Sequence, residues 1–289
     1  MSIDAKYRKN LPHLGGGLYL TDGGIETSLI FQDGLDLPYF AAFHLLRDAP
    51  GRQALVRYYE RYIEIAKSDG VGFILESPTW RASTDWGQKL GYSADDMDAV
   101  NRTSIRLMHD LREAYETLRT PMIVSGCVGP RGDGYVPGEI TGAAKAETYH
   151  AHQVSAFAEA GADMVSAVTM TNANEAIGVA RAAAKAGMPV SISFTVETDG
   201  RLPTGQTLPE AISEVDAATS TGPAYYMINC AHPTHFDSVL HTKAAWTRRI
   251  GGIRANASQR SHQALNDSPD LDAGHPIELG GQYRALVRR

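Results

Sequence analysis

The chain has 289 residues, 43% of them hydrophobic and 21% charged, a composition that builds a sizeable core and excludes a disordered protein; one large domain and two small ones both fit this length. Its 27 Lys and Arg against 33 Asp and Glu leave a net charge of −6, and no basic run concentrates positive potential, which excludes nucleic acid and anionic membrane surfaces and favours a small-molecule partner. The N-terminal stretch has no apolar signal core and no segment approaches about 18 consecutive apolar residues, predicting a cytoplasmic protein without a membrane span. Two cysteines, Cys127 and Cys230, are too few for a disulfide framework.

In chain order, short apolar runs rich in β-formers recur at 18–24, 71–77, 121–129, 162–170, 188–196, 224–231 and 249–257, and each reads as a strand. Helical periodicity fills the spaces between them. Leu55, Tyr59, Tyr62, Ile63 and Ala66 form one stripe, stopped by Gly70. Met97, Val100, Leu107, Leu111 and Ala114 form a second, opened by Ser93 with Asp96 three residues on; Thr207 with Glu210 opens a third through Leu208, Ala211, Ile212 and Val215. A last helix is predicted over 276–289, with Leu279, Tyr283, Leu286 and Val287 on one face and Arg288-Arg289 at its end.

Repeated βα units with nearly continuous apolar strands imply a parallel sheet covered by helices. No G-x-G-x-x-G follows the first strand, so the doubly wound sheet yields to a (β/α)8 TIM-type barrel, expected as a single domain over 1–289. Polar residues gather where strands end: Asp22 and Glu26, Glu76 and Thr79, Cys127 and Arg131, Thr169 and Asn172, Glu197 and Asp199, Cys230 and His232, Asn256 and Ser258. In a barrel these share the face that carries chemistry.

Four strand-end segments, LTDGGIETSLIFQDG (20–34), SGCVGPRGDGYVPGE (125–139), TDGRLPTGQTLPEA (198–211) and YMINCAHP (226–233), in this order and spacing, resemble the homocysteine S-methyltransferase family, which includes betaine–homocysteine methyltransferase. The resemblance implies a barrel in which zinc, held by three cysteine thiolates, activates a thiol sulfur for attack on a methyl donor. It makes Cys230, in its Ile228-Asn229-Cys230 context, the first zinc ligand, and Asp22 with the Gly23 and Gly24 amides the substrate holders. Glu76, Thr79 and Asn256 are further pocket candidates. The expected partners are a small-molecule thiol acceptor and a methyl donor, with a homo-oligomer left open. Such chemistry suits a thiol, which is mostly protonated at neutral pH until a metal binds it.

The sequence departs from the family pattern in two places. The G-G-C-C-G segment expected after strand eight is absent, so two of the three zinc cysteines are missing; the chain reads as a C-terminally shortened form whose first and seventh strands should flank an opening filled by solvent, a rearranged segment or a neighbour. A substitute site from Cys230 and His235 is one alternative. Secondly, Val168 stands where relatives place a Glu that pairs with the homocysteine ammonium. Either another carboxylate such as Glu76 or Glu197 takes that task, or the acceptor is a different thiol.

Two rivals remain beside the methyltransferase. One is a metal-free thiol or amino-acid binding protein, or an inactive pseudoenzyme, on the same barrel. The other is a hydrolase or lyase that uses Asp22, Glu26 and Glu76 with a hard metal. The Gly-rich run 129–134 lacks the G-K-[ST] ending of a phosphate loop. Trp80, Trp86 and the tyrosines of 58–62 are read as packing.

Overall fold

The computed structural model describes residues 4–136, 138–219, 222–241 and 244–287. Seven parallel strands, β1 (Tyr19–Thr21), β2 (Gly72–Glu76), β3 (Met122–Val128), β4 (Met164–Met170), β5 (Val190–Phe194), β6 (Tyr225–Asn229) and β7 (Ile250–Arg254), lie side by side in sequence order. Each falls inside one of the apolar runs. β2 through β6 are buried at every position, as expected where both faces of a parallel sheet are covered. The covering helices are α1 (Ile25–Thr27), α2 (Ala49–Asp69), α3 (Thr84–Lys89), α4 (Ala94–Tyr115), α5 (Ala143–Glu159), α6 (Ala173–Lys185), α7 (Leu208–Ala218), α8 (Pro233–Leu240), α9 (His262–Asn266) and α10 (Pro276–Val287). This is the architecture of a TIM-type barrel, nearly closed by seven strands among the described residues. No helix among them is long and apolar enough to cross a membrane.

The local signals act as their chemistry requires. Ser93 with Asp96 and Thr207 with Glu210 form complete capping boxes on α4 and α7. α2 stops at Gly70, whose φ of 64° is the left-handed conformation that glycine adopts without a Cβ penalty. The predicted helix over 276–289 is present as α10; Arg288-Arg289 lies outside the described residues.

Inside the barrel, the usual layers of branched side chains give way to a short hydroxyl chain. Ser125 Oγ lies 2.8 Å from Ser166 Oγ, and Ser191 donates to Ser166 at 3.3 Å. Below it, Leu11, Ile74, Ile123, Met164, Tyr225 and Met227 plug the N-terminal end. The N-terminal segment is tied across that end, with Tyr7 N–H donating to Asp163 Oδ1 at 2.7 Å and Arg8 Nε to Ala162 O at 2.9 Å.

Among the described residues β1 and β7 are the two edges of the sheet, as expected for the strands that flank an opening. The chain itself occupies the seam between them. Arg254, at the end of β7, reaches over to β1, where its Nε donates to Thr21 Oγ1 at 3.1 Å. On the outer side, Tyr283 of α10 sits against the edge of β7: its hydroxyl accepts from Ala255 N–H at 2.7 Å and lies 3.5 Å from Ile253 O.

Candidate functional site

The strand ends converge on a mouth that is charged and largely dry. Asp22, just past β1, is 5% exposed. Its Oδ2 accepts from the Tyr58 hydroxyl at 3.1 Å, and its Oδ1 lies 3.4 Å from Arg254 Nη2. Arg254 Nη2 is also 2.8 Å from Glu76 Oε2, at the end of β2. The geometry there is that of an ion pair rather than an aligned hydrogen bond. Burial pushes the Asp22 carboxyl up to about 7 despite the opposing pull of Arg254. Burial pulls the Arg254 guanidinium down, but Glu76 and Asp22 outweigh it and hold the group well above the usual arginine value.

Gly23 and Gly24 follow. A Cβ on Gly23 would stand 2.7 Å from the Tyr62 hydroxyl, so the close approach of α2 is itself a reason for glycine there. Glu26, in the helical turn after them, buries its Oε1 without a hydrogen-bond partner, and burial pushes this carboxyl up to about 7. Thr79 is fully buried; its hydroxyl donates to Cys127 O at 2.7 Å and bonds Ser77. It therefore braces the β2 and β3 ends. Cys127 is 5% exposed, and burial pushes its thiol well above the usual value.

Across the mouth, Cys230 follows β6 with φ 55°, and Thr169 near the end of β4 has φ 61°. Left-handed backbone at non-glycine residues, one of them β-branched, is strain that the surroundings must enforce. Asn229 does so. Its Oδ1 accepts from Thr169 N–H at 2.9 Å and from Ser193 Oγ at 2.6 Å; its Nδ2 donates to Thr169 Oγ1 at 2.9 Å and to Cys230 Sγ at 3.1 Å. Tyr135 lies beside the Cys230 thiol: burial first, then that thiol, pushes its hydroxyl well above the usual value. The Cys230 carbonyl accepts from Asn256 Nδ2 at 3.0 Å and faces His262 Nε2 at 2.6 Å. His262 Nδ1 lies 2.9 Å from Glu197 Oε1.

The donors that zinc would need are committed elsewhere. His232 Nδ1 caps α8 through Thr234, and His235 Nε2 faces Gln259 O at 3.0 Å. Both nitrogens of His262 are occupied as described. No group of three His, Cys, Asp or Glu among the described residues is placed to hold a metal. The single thiol of Cys230 does not fit the three-thiolate site, and the His235 Nε2 that could add to it is taken up by Gln259 O. Asp22, Glu26 and Glu76 likewise lack the arrangement a hard metal needs.

The sequence reading passed over several residues. Arg254 carries the mouth's central positive charge, yet was hidden inside an apolar run; it lies two residues before Asn256, on the face set by strand alternation. The tyrosines of 58–62 do more than pack, since the Tyr59 hydroxyl donates to Glu76 O at 2.6 Å beside the Tyr58 bond to Asp22. Trp80 and Trp86 flank the Arg81 guanidinium at 3.9 and 3.8 Å.

Comparison with known proteins agrees with this architecture. Selenocysteine Se-methyltransferase of Brassica oleracea var. italica is 24% identical over 268 residues, which span 85% of this chain and 74% of that protein. Crystal structures of the homocysteine methyltransferase MmuM from Escherichia coli share the fold at 19% identity: the metallated form has a TM-score of 0.62 and the oxidised form 0.63, each covering 82% of this chain and 91% of that one. The homocysteine S-methyltransferase profile matches residues 19–275, nearly the whole barrel, and the chain belongs to that family.

Proposed function

We propose that the protein transfers a methyl group to the sulfur of homocysteine or a related thiol. The observation that carries the reading is the Cys230 corner. A family-type Ile228-Asn229-Cys230 segment is held in strained geometry at the barrel mouth, opposite a buried carboxyl, Asp22, pushed up to about 7. A sulfonium or quaternary-ammonium donor supplies the methyl. The acceptor sulfur forms the new S–C bond, the C–S⁺ or C–N⁺ bond of the donor breaks, and the donor leaves as a neutral thioether or amine. The thiol proton passes to Asp22, whose value matches a base working near neutral pH. Arg254 keeps Asp22 and Glu76 in place, and the Gly23 and Gly24 amides line the approach. In the family, zinc supplies thiol activation; the donors here do not fit it, and no step is assigned to it.

A second reading, thiol binding without transfer, is favoured by one fact: Cys230 is the sole thiol at the family's zinc position among the described residues. One experiment separates the two. Purified protein is incubated with sulfonium and quaternary-ammonium donors and with thiols including homocysteine, and S-methyl products are followed by mass spectrometry. Turnover is expected, with kcat/KM falling about a hundredfold in Asp22→Asn. Homocysteine binding without turnover selects the second reading. Stoichiometric zinc that survives dialysis and is lost in Cys230→Ser would return the reaction to the family's metal route.

A further inference from the structure

Near the end of β4, Val168 is apolar and 7% exposed, and offers nothing to an acceptor's amino group. The carboxylates around the mouth are otherwise engaged. Asp22 and Glu76 face Arg254, and Glu197 faces His262. Glu175 accepts from Arg131 N–H at 2.6 Å and lies 3.0 Å from His150 Nε2. Glu26 is different, because its Oε1 is buried and no group among the described residues donates to it. Arg81, whose charge acts on Glu26, is stacked between Trp80 and Trp86, donates Nη1 to Gly132 O at 2.9 Å and lies 3.8 Å from Asp133 Oδ2.

A buried carboxylate oxygen without a donor is costly in the empty site and becomes favourable once a ligand supplies one. The kind of ligand follows from hydrogen-bonding capacity. A carboxylate oxygen only accepts, so the group that satisfies it must carry N–H or O–H donors; a primary ammonium has three, together with the opposite charge, and an amino-acid thiol supplies one. Tyr135 feels the charge of both the Cys230 thiol and Glu26, so this one side chain lies close enough to each to relate the carboxylate to the thiol corner.

We infer that Glu26 holds the primary ammonium of an amino-acid thiol acceptor, doing from the β1 end what Val168 cannot do from β4. This rests on the methyl-acceptor reading above. The burial that pushes the carboxyl up to about 7 is the same burial that an incoming ammonium would offset.

The test is calorimetric titration of the unaltered protein and of Glu26→Gln with homocysteine and with its desamino counterpart, 4-sulfanylbutanoate. The unaltered protein should bind homocysteine at least tenfold more tightly. Glu26→Gln should erase that preference by weakening homocysteine while leaving 4-sulfanylbutanoate within about twofold. Equal binding of the two thiols by the unaltered protein, binding of neither, or a preference that survives in Glu26→Gln overturns the inference. Methyl-transfer assays run in parallel keep the two readings apart. Glu26-dependent binding without transfer retires the methyltransferase and keeps the ammonium site, and equal transfer to both thiols does the reverse.

Discussion

Asp22 and Glu26 have ordinary carboxyl values near 4 and are both pushed up to about 7 by burial. Between those values the folded chain keeps a proton that the unfolded chain has lost. Each group therefore subtracts stability as pH rises through the window from about 4.5 to 7, and the full loss is present above 7. Buried histidines act in the opposite sense: His13, pushed down to about 4, loses stability as pH falls below its unfolded value. The useful quantity is therefore the difference between a variant and its parent. Glu26→Gln should match the parent near pH 4.5 and exceed it progressively up to pH 7.5, by on the order of 2 kcal/mol, read from urea midpoints at several pH values. A difference that does not vary with pH would mean that Glu26 is not buried as a carboxyl at all. A residue that gains stability when neutralised is one retained for something other than folding. The sequence placed Asp22 and Glu76 at strand ends, but could not show that one arginine binds both. Such a contact joins positions far apart in the chain, and no local spacing encodes it.

At the scale of elements, the seven strands and the capped helices were legible because their causes are local. Buried parallel strands are continuously apolar, and Ser93, Thr207 and Gly70 act within a single turn. What joins the elements was not legible. Asp163, just before β4, is fully buried and its Oδ2 accepts from Arg112 Nη1 of α4 at 2.7 Å and from Val124 N–H of β3 at 2.9 Å, while its Oδ1 takes Tyr7 N–H. One side chain thus fastens α4, β3 and the N-terminal segment at the end of the barrel where stability rather than chemistry resides. Asp163→Ala leaves the Arg112 guanidinium buried and unpaired. The expected cost is about 3 to 5 kcal/mol, with Asp163→Asn losing less because its oxygen still accepts. Chemical denaturation measures both, and a loss under about 1 kcal/mol for the alanine variant would mean that water reaches Arg112 and replaces its partner.

For the whole molecule the question is how a seven-stranded parallel sheet tolerates two edges. Unpaired strand edges present rows of N–H and C=O groups that recruit another chain. Composition and periodicity indicate that such edges exist, because they count strands, but the cover comes from side chains placed by tertiary packing. On the inside, Arg254 carries charge and hydrogen bonding from β7 to Thr21 and Asp22 on the β1 side. On the outside, the Tyr283 hydroxyl stands against Ala255 N–H and Ile253 O, two groups of the kind an adjacent strand would have paired. Tyr283→Phe keeps the ring that packs α10 in place and removes only the hydroxyl, leaving the Ala255 N–H without its partner at a cost of about 1 to 3 kcal/mol. Two changes are expected together. The unfolding midpoint should fall, and sedimentation velocity should show association that grows with protein concentration in the variant more than in the parent, since the freed edge can now pair with a second chain. A lower midpoint with unchanged sedimentation would make Tyr283 an ordinary stabilising contact; more association at an unchanged midpoint would mean that its hydroxyl guards the edge without holding the fold. If neither changes, the seam is sealed by Arg254 and the body of α10, and the hydroxyl contributes nothing to it.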